Sequence, residues 1–263
     1  MVITCVTILA GILGLILGSF ANVLIHRIPR RESIVSPGSH CPHCDAPIRW
    51  FQNIPVLSWV VLLGRCASCR GPISPRYPLV EALMGATFSA SAYAFFPSAA
   101  DTAGGCLFCF LAVVLGLIDL EHQILPDVLT YPGMAAGFAF SFFVSWTDWK
   151  SALAGALLGG GLIMALLLFW EKVIGVDGMG WGDVKYLALI GAFLGWKGTL
   201  ITLILGAFLG SVVGGGILLV SRRRLFGTAL PFGTFLAAAS LASLFFHEAI
   251  WFWYMGFYPP NMR

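Results

Sequence analysis

The chain has 263 residues, 59% hydrophobic and 10% charged, against roughly 45–50% and 25% in an ordinary soluble domain; this excludes a disordered protein and argues against a soluble globule. Fifteen Lys and Arg against twelve Asp and Glu leave a net charge of +3, with no basic stripe to neutralise a phosphate backbone, so no nucleic-acid partner is expected. With a mean hydropathy of +0.90, the expected class is an all-α polytopic membrane protein, built from spans of about 20 apolar residues in a lipid bilayer.

Apolar runs at 2–25, 79–97, 104–120, 128–146, 151–170, 184–196, 198–221 and 229–254 predict eight transmembrane helices. Their continuity fits helices, which pair every backbone amide internally, and not the alternating strands of a barrel. The sixth run is short and ends at Gly195-Trp196-Lys197-Gly198, so the sixth and seventh spans are the least defined. No charge precedes the first run and His26-Arg27-Ile28-Pro29-Arg30-Arg31 follows it, the reverse of a cleaved signal peptide. The positive-inside rule places the 27–78 loop, with Arg27, Arg30, Arg31, Arg49, Arg65, Arg70 and Arg76, in the cytoplasm and the N-terminus outside. Eight spans then put Lys172, Lys185, Arg222, Arg223 and Arg224 on the same side, leaving only Lys150, Lys197 and Arg263 outside. The expected division is a first transmembrane helix at 1–26, a cytoplasmic loop domain at 27–78 and a seven-helix membrane domain at 79–263, with no fixed-period repeat.

A loop domain of about 50 residues buries too little apolar surface to stand without a staple. Cys41-Pro42-His43-Cys44 and, 21 residues later, Cys66-Ala67-Ser68-Cys69 supply one. Paired CxxC knuckles at this separation predict tetrahedral Zn²⁺ held by Cys41, Cys44, Cys66 and Cys69. Two disulfides or a redox pair are the alternative, disfavoured by a reducing cytoplasm. Four thiolates close the coordination sphere, so the zinc is structural, with His40 and His43 as bystanders. Cys5, Cys106 and Cys109 lie in apolar runs, where small thiols pack.

An Asp at the bilayer centre costs about 2.5–3.5 kcal/mol, so acids in or beside spans mark function. Glu81, Asp119 and Asp183 qualify. Asp127 after Pro126 reads as the N-cap of the fourth span, whereas Asp119, at the end of the third, has no cap to form. Asp183 closes Gly178-Met179-Gly180-Trp181-Gly182-Asp183 at the start of the sixth. Both aspartates emerge on the cytoplasmic edge, which leaves two readings open: a pair sharing one proton, able to activate water against a carbonyl, or two independent helix caps. Gly178, Gly180 and Gly182 either let backbone approach a substrate or adopt positive φ, or serve helix packing alone. His247-Glu248-Ala249-Ile250-Trp251 lacks the second histidine of a zinc protease, no GxSxG elbow is present, and the runs Gly159-Gly160-Gly161 and Gly214-Gly215-Gly216 fit helix contacts.

Together these stretches resemble the bacterial type IV prepilin peptidases, membrane aspartyl proteases that also serve type II secretion. The resemblance is carried by Gly18-Ser19-Phe20-Ala21-Asn22-Val23 with Arg27 and Pro29, by the paired knuckles, and by Asn53-Ile54-Pro55-Val56-Leu57-Ser58-Trp59. Arg76-Tyr77-Pro78 with Glu81, Asp119 in IDLEHQILPD, and the GxGD segment Gly180-Trp181-Gly182-Asp183-Val184-Lys185 complete it. It implies Asp119 and Asp183 as catalytic residues, and cleavage of prepilins and pseudopilins at the cytoplasmic face of the bacterial inner membrane, after the glycine that ends a basic leader. It also implies N-methylation of the new terminus with S-adenosylmethionine, whose site is unknown, with Glu81 as a candidate. Lys185 either orients Asp183 or snorkels. Glu121, Asp127, Glu171 and Asp177 either attract the leader or are solvated loop charge. Two positions depart from the family's pattern: Thr234 in Pro231-Phe232-Gly233-Thr234 stands where it has proline, and Tyr186 where it has leucine, which packing is expected to absorb. The rival functions are an ion or metal transporter with its acids at the bilayer midplane, and a scaffold whose zinc loop recruits a partner.

Overall fold

A computed structural model describes residues 1–169, 171–172, 180–221 and 230–256. These form eight α-helices: α1 Val2–Arg27, α2 Leu57–Val61, α3 Arg76–Phe95, α4 Ala99–His122, α5 Asp127–Phe140, α6 Trp149–Phe169, α7 Trp181–Ser221 and α8 Phe232–Gly256. Five of them, α1, α4, α6, α7 and α8, are long and apolar enough to cross a membrane, so the chain is an all-helical, multi-pass membrane protein. The run expected over 128–146 is helical only to Phe140, where the Ser141 hydroxyl donates to the Phe138 carbonyl and the chain turns. At 1.5 Å per residue the 14 residues of α5 reach about 21 Å.

The chain divides into two units, Met1–Val114 and Leu115–Arg263, with the boundary inside α4. In the first, α1 and α3 pack antiparallel through glycine. A Cβ on Gly14 would lie 2.6 Å from the Met84 carbonyl oxygen, and one on Gly18 would lie 2.7 Å from the Glu81 Cα. Small residues at four-residue spacing let helices approach in lipid, where apolar burial gives no driving force between them. The opposite face of α1 exposes Ile8, Leu9, Ile12, Leu13 and Ile16.

In the second unit, α7 has 41 residues, about 60 Å if straight and twice what a bilayer core requires. Gly195, at φ 67° and ψ −179°, breaks it. The contacts of α6 give the direction of the break. Gly155 abuts Gly191 and Gly195, and a Cβ on Gly159 would lie 2.7 Å from the Leu187 carbonyl oxygen and 3.0 Å from Thr199 Cγ2. One step along α6 therefore runs back from 195 to 187 and forward from 195 to 199, so the two arms lie side by side and the chain reverses at Gly195. These arms are the separate runs 184–196 and 198–221 expected from sequence. A Cβ at 195 would also collide with Ser151 Oγ and, at 2.6 Å, with Thr147 Oγ1. Gly195→Ala is expected to cost about 1–3 kcal/mol from backbone strain alone, read as a lowered Tm in detergent; an unchanged Tm would refute a glycine-dependent reversal.

Candidate active site and metal centre

The 28–75 segment has no hydrophobic core of its own, and its order comes from two chain reversals. In the first, the Cys41 N–H donates to Ala46, the Asp45 N–H to Cys41 and the Ile48 N–H to Ser39. In the second, the bonds are Cys66 to Gly71, Arg70 to Cys66 and Ile73 to Gly64. Asp45 and Arg70 both take positive φ, 53° and 61°. The knuckles are thus one structure used twice, a repeat overlooked in sequence although His40-Cys41-Pro42-His43-Cys44-Asp45-Ala46-Pro47-Ile48 aligns with Arg65-Cys66-Ala67-Ser68-Cys69-Arg70-Gly71-Pro72-Ile73. Trp59 ties the second copy to α2 through its indole N–H on the Ile73 carbonyl.

Together the knuckles bring the sulfurs of Cys41, Cys44, Cys66 and Cys69 within 4.8 Å of one another. Cys41 and Cys69 are 3.8 Å apart, the edge of a tetrahedron whose centre lies about 2.3 Å from each sulfur, as Zn²⁺ requires. All seven cysteines are free thiols, and His40 and His43 stand outside the group. The N–H groups of Cys69 and Ser68 lower the Cys66 thiol to about 6. The Cys44 thiol feels a lowering pull from the Ala46 N–H, yet the surrounding thiols, Cys69 first, push it up to about 12. Four clustered thiols cannot all ionise without a cation to balance them, and a divalent soft metal does so.

In the second unit Asp119 and Asp183 are 5% and 9% exposed. Asp119 lies in the last turn of α4, where the helix dipole opposes a carboxylate. Its Oδ2 accepts the Thr234 N–H at 2.7 Å and the Thr234 hydroxyl at 3.2 Å. Thr234 is the third residue of α8, so Asp119 caps a helix after all, in trans, at an N-terminus whose free N–H groups favour an acceptor. Gly233 is tied into the same contact, since a Cβ there would lie 2.9 Å from Asp119 Cγ and 3.1 Å from Leu125 Cδ1. A Cβ on Gly182 would meet Leu125 Cβ, also at 3.1 Å. Leu125 therefore joins the two aspartates: Gly233, against Asp119, lies on one side and Gly182, next to Asp183, on the other.

Asp183 is the third residue of α7, and its N–H donates to the Gly180 carbonyl. Among the described residues, the nearest atoms to a Cβ on Gly180 would be Asp183 Oδ2 and the Gly182 nitrogen, both at 3.8 Å. Two expectations change. Pro126, not Asp127, occupies the N-cap of α5. Lys185 does not orient Asp183: its ammonium binds Asp127 at 2.5 Å and lies over the Tyr131 ring. That pair joins α5 to α7 and occupies Asp127. Tyr186 is fully buried, and its hydroxyl, near Ser240, completes no hydrogen bond. Gly159 and Gly160 contact α7 and Gly214 contacts Leu230, whereas Gly161, Gly215 and Gly216 meet no described neighbour. Asp177 and Gly178 lie outside the described residues; Glu121 has His122 at 3.9 Å.

Residues 12–95 match the Bacterial Peptidase A24 N-terminal domain, and residues 106–215 match the Type IV leader peptidase family. The chain belongs to the type IV leader peptidase family. A relative from Burkholderia pseudomallei (strain K96243), named prepilin leader peptidase/N-methyltransferase, is 36% identical over 263 residues, 90% of this chain and 84% of its own. Relatives of the same name from Aeromonas hydrophila and Myxococcus xanthus are 36% and 41% identical, covering 94% and 81% of this chain and 93% and 63% of theirs. No solved structure matches the chain. The leader peptidase match contains Asp119 and Asp183 but stops before α8, so Thr234 lies outside the residues it matches.

The cysteine group sets one expectation: the purified protein carries about one zinc per chain, and Cys41→Ser or Cys66→Ser loses it. Because protons compete with the metal for thiolate, zinc is retained at neutral pH and released on acidification. Metal analysis after dialysis checks both, and a metal-free wild type at neutral pH would contradict them.

Proposed function

We propose that this chain is an aspartic endopeptidase of the bacterial inner membrane. In this reading it removes the basic leader of prepilins and pseudopilins after its terminal glycine and methylates the new N-terminus with S-adenosylmethionine. The observation that carries the peptidase reading is two buried aspartates, from α4 and α7, linked through Leu125. All eight apolar runs serve as spans in this reading, with 1–26 the first, the N-terminus outside, and 27–78 a cytoplasmic four-cysteine zinc domain before the membrane domain of 79–263. The distribution of Lys and Arg supports that orientation. It sets Asp119, near the end of α4, and Asp183, at the start of α7, on the cytoplasmic rim.

The chemistry follows from a shared proton. Two adjacent carboxyls ionise one at a time, so the pair holds a proton between them. The ionised member takes a proton from water, and the resulting hydroxide adds to the scissile carbonyl carbon. The protonated member gives its proton to the developing oxyanion; as the C–N bond breaks, the leaving nitrogen takes the proton that the other carboxylate drew from water, and the new carboxyl returns a proton to the pair. Thr234 holds Asp119 in place, and Gly180, with no side chain of its own, lets substrate backbone approach beside Asp183. A transporter gains no support from this arrangement, because both acids sit at helix ends and not midway along them.

The trans cap makes asparagine a discriminating substitution, because Asn caps helices as well as Asp. Asp119→Asn and Asp183→Asn are expected to fold and to lose leader removal by at least about 10²–10⁴-fold, the usual worth of acid–base groups. Mass spectrometry of a prepilin peptide in detergent measures this, and an asparagine variant cleaving at the wild-type rate would return the acids to a capping role. Thr234→Val keeps the backbone donor and removes the hydroxyl. A hydrogen bond to a charged group contributes about 1.5–3 kcal/mol, so the expected loss is in kcat, with KM nearly unchanged. Equal kcat in Thr234→Val and wild type would show that the hydroxyl is idle.

A further inference from the structure

The first unit contains a cavity of about 880 Å³, within the range of about 300–1,000 Å³ typical of small-molecule sites. The 28–75 segment, both cysteine knuckles included, walls it together with α1 and α3, and its floor is formed by Ser19 and Asn22 from α1, Ile54 and Val56 from the turn before α2, and Tyr77 and Glu81 from α3. The proteolytic chemistry uses none of them.

Two buried side chains make the cavity a built site. Asn22, 4% exposed, donates its amide to the carbonyls of Gly18 and Tyr77, at 3.3 and 3.1 Å. That fixes which end is oxygen, and Oδ1 is left buried with no partner. An unsatisfied buried acceptor costs about 1–3 kcal/mol, so a donor from a ligand would recover a real loss. Glu81, 7% exposed, accepts the Val56 N–H on Oε2 at 2.7 Å. Val56 makes that bond from φ 61° and ψ −49°, a region β-branched residues rarely enter, so the turn is strained over the carboxylate. Among the described residues no Lys or Arg forms a salt bridge with Glu81. Arg27, on the same wall, spends its guanidinium on the carbonyls of Ser33 and Pro37. The cavity therefore offers an uncompensated carboxylate and a free acceptor, and it calls for a cationic ligand with N–H donors.

We infer that this cavity binds S-adenosylmethionine, with Glu81 against the ligand's positive charge and Asn22 Oδ1 accepting one of its N–H groups. The inference rests on the methyltransferase part of the proposed function. Bound there, the sulfonium supplies its methyl to an uncharged amine, sulfur keeping the bonding electrons and the amine nitrogen releasing a proton to solvent. The product, S-adenosylhomocysteine, has lost the sulfonium charge, so a carboxylate beside that charge favours donor over product.

The test is equilibrium binding of radiolabelled S-adenosylmethionine and S-adenosylhomocysteine to the full chain in detergent, with zinc content reporting that each preparation is folded. Glu81→Gln keeps an acceptor for the Val56 N–H and removes the charge. It is expected to weaken the donor roughly tenfold and the product less than about threefold, since charge-assisted contacts are the stronger ones. Ultraviolet cross-linking of the labelled donor to wild-type protein is expected to mark peptides covering 19–22, 54–56 or 77–81. Cross-links confined to other peptides, or equal donor binding by Glu81→Gln and wild type, would overturn the location. A wild type that neither binds the donor nor adds a methyl group to a cleaved substrate would overturn the methyltransferase reading itself.

Discussion

The N–H and hydroxyl of Thr234 meet one oxygen of Asp119 across 115 residues of chain, and the arrangement of the second unit depends on that contact. A carboxylate buried in an apolar bundle must find donors, and the last turn of its own helix offers only carbonyls. The start of α8 supplies what α4 lacks. Bringing the two helix ends together leaves room only for glycine at 233 and seats Leu125 against both Gly233 and Gly182. The requirement to satisfy one buried acid therefore sets where the second acid stands.

The first unit is organised by a different force. Its 28–75 segment has too few apolar contacts to fold by burial, and two copies of one knuckle turn four sulfurs onto a common point. The same segment closes over α1 and α3 to form the cavity. Its turn at Val56, held by Glu81, is part of that wall. A four-cysteine staple thus has a use beyond stability: it lets a short polar segment hold a fixed shape against two helices whose own contact is made by glycines.

Hydropathy and spacing made the membrane class, the helical runs and the cysteine group readable, because each is a local property: twenty apolar residues in a row, or two thiols separated by two residues. The repeat of the knuckles was equally present in the letters, but only two of its nine aligned positions besides the cysteines are identical, Pro47 with Pro72 and Ile48 with Ile73. Its signal is the shared hydrogen-bond pattern, which composition does not carry.

What the sequence determined by itself was which residues could not be ordinary: acids in apolar runs, cysteines in pairs, and a short apolar run that ends at Gly195. Tertiary structure decided what those residues do with one another. Asp119 became a cap for α8 and not for its own helix, Lys185 went to Asp127 and not to Asp183, and Asn22 and Glu81 came to face one cavity from different helices. The physical reason is that helix formation depends on neighbours three and four residues away, whereas partners for buried polar groups are chosen by which helix ends the fold brings together.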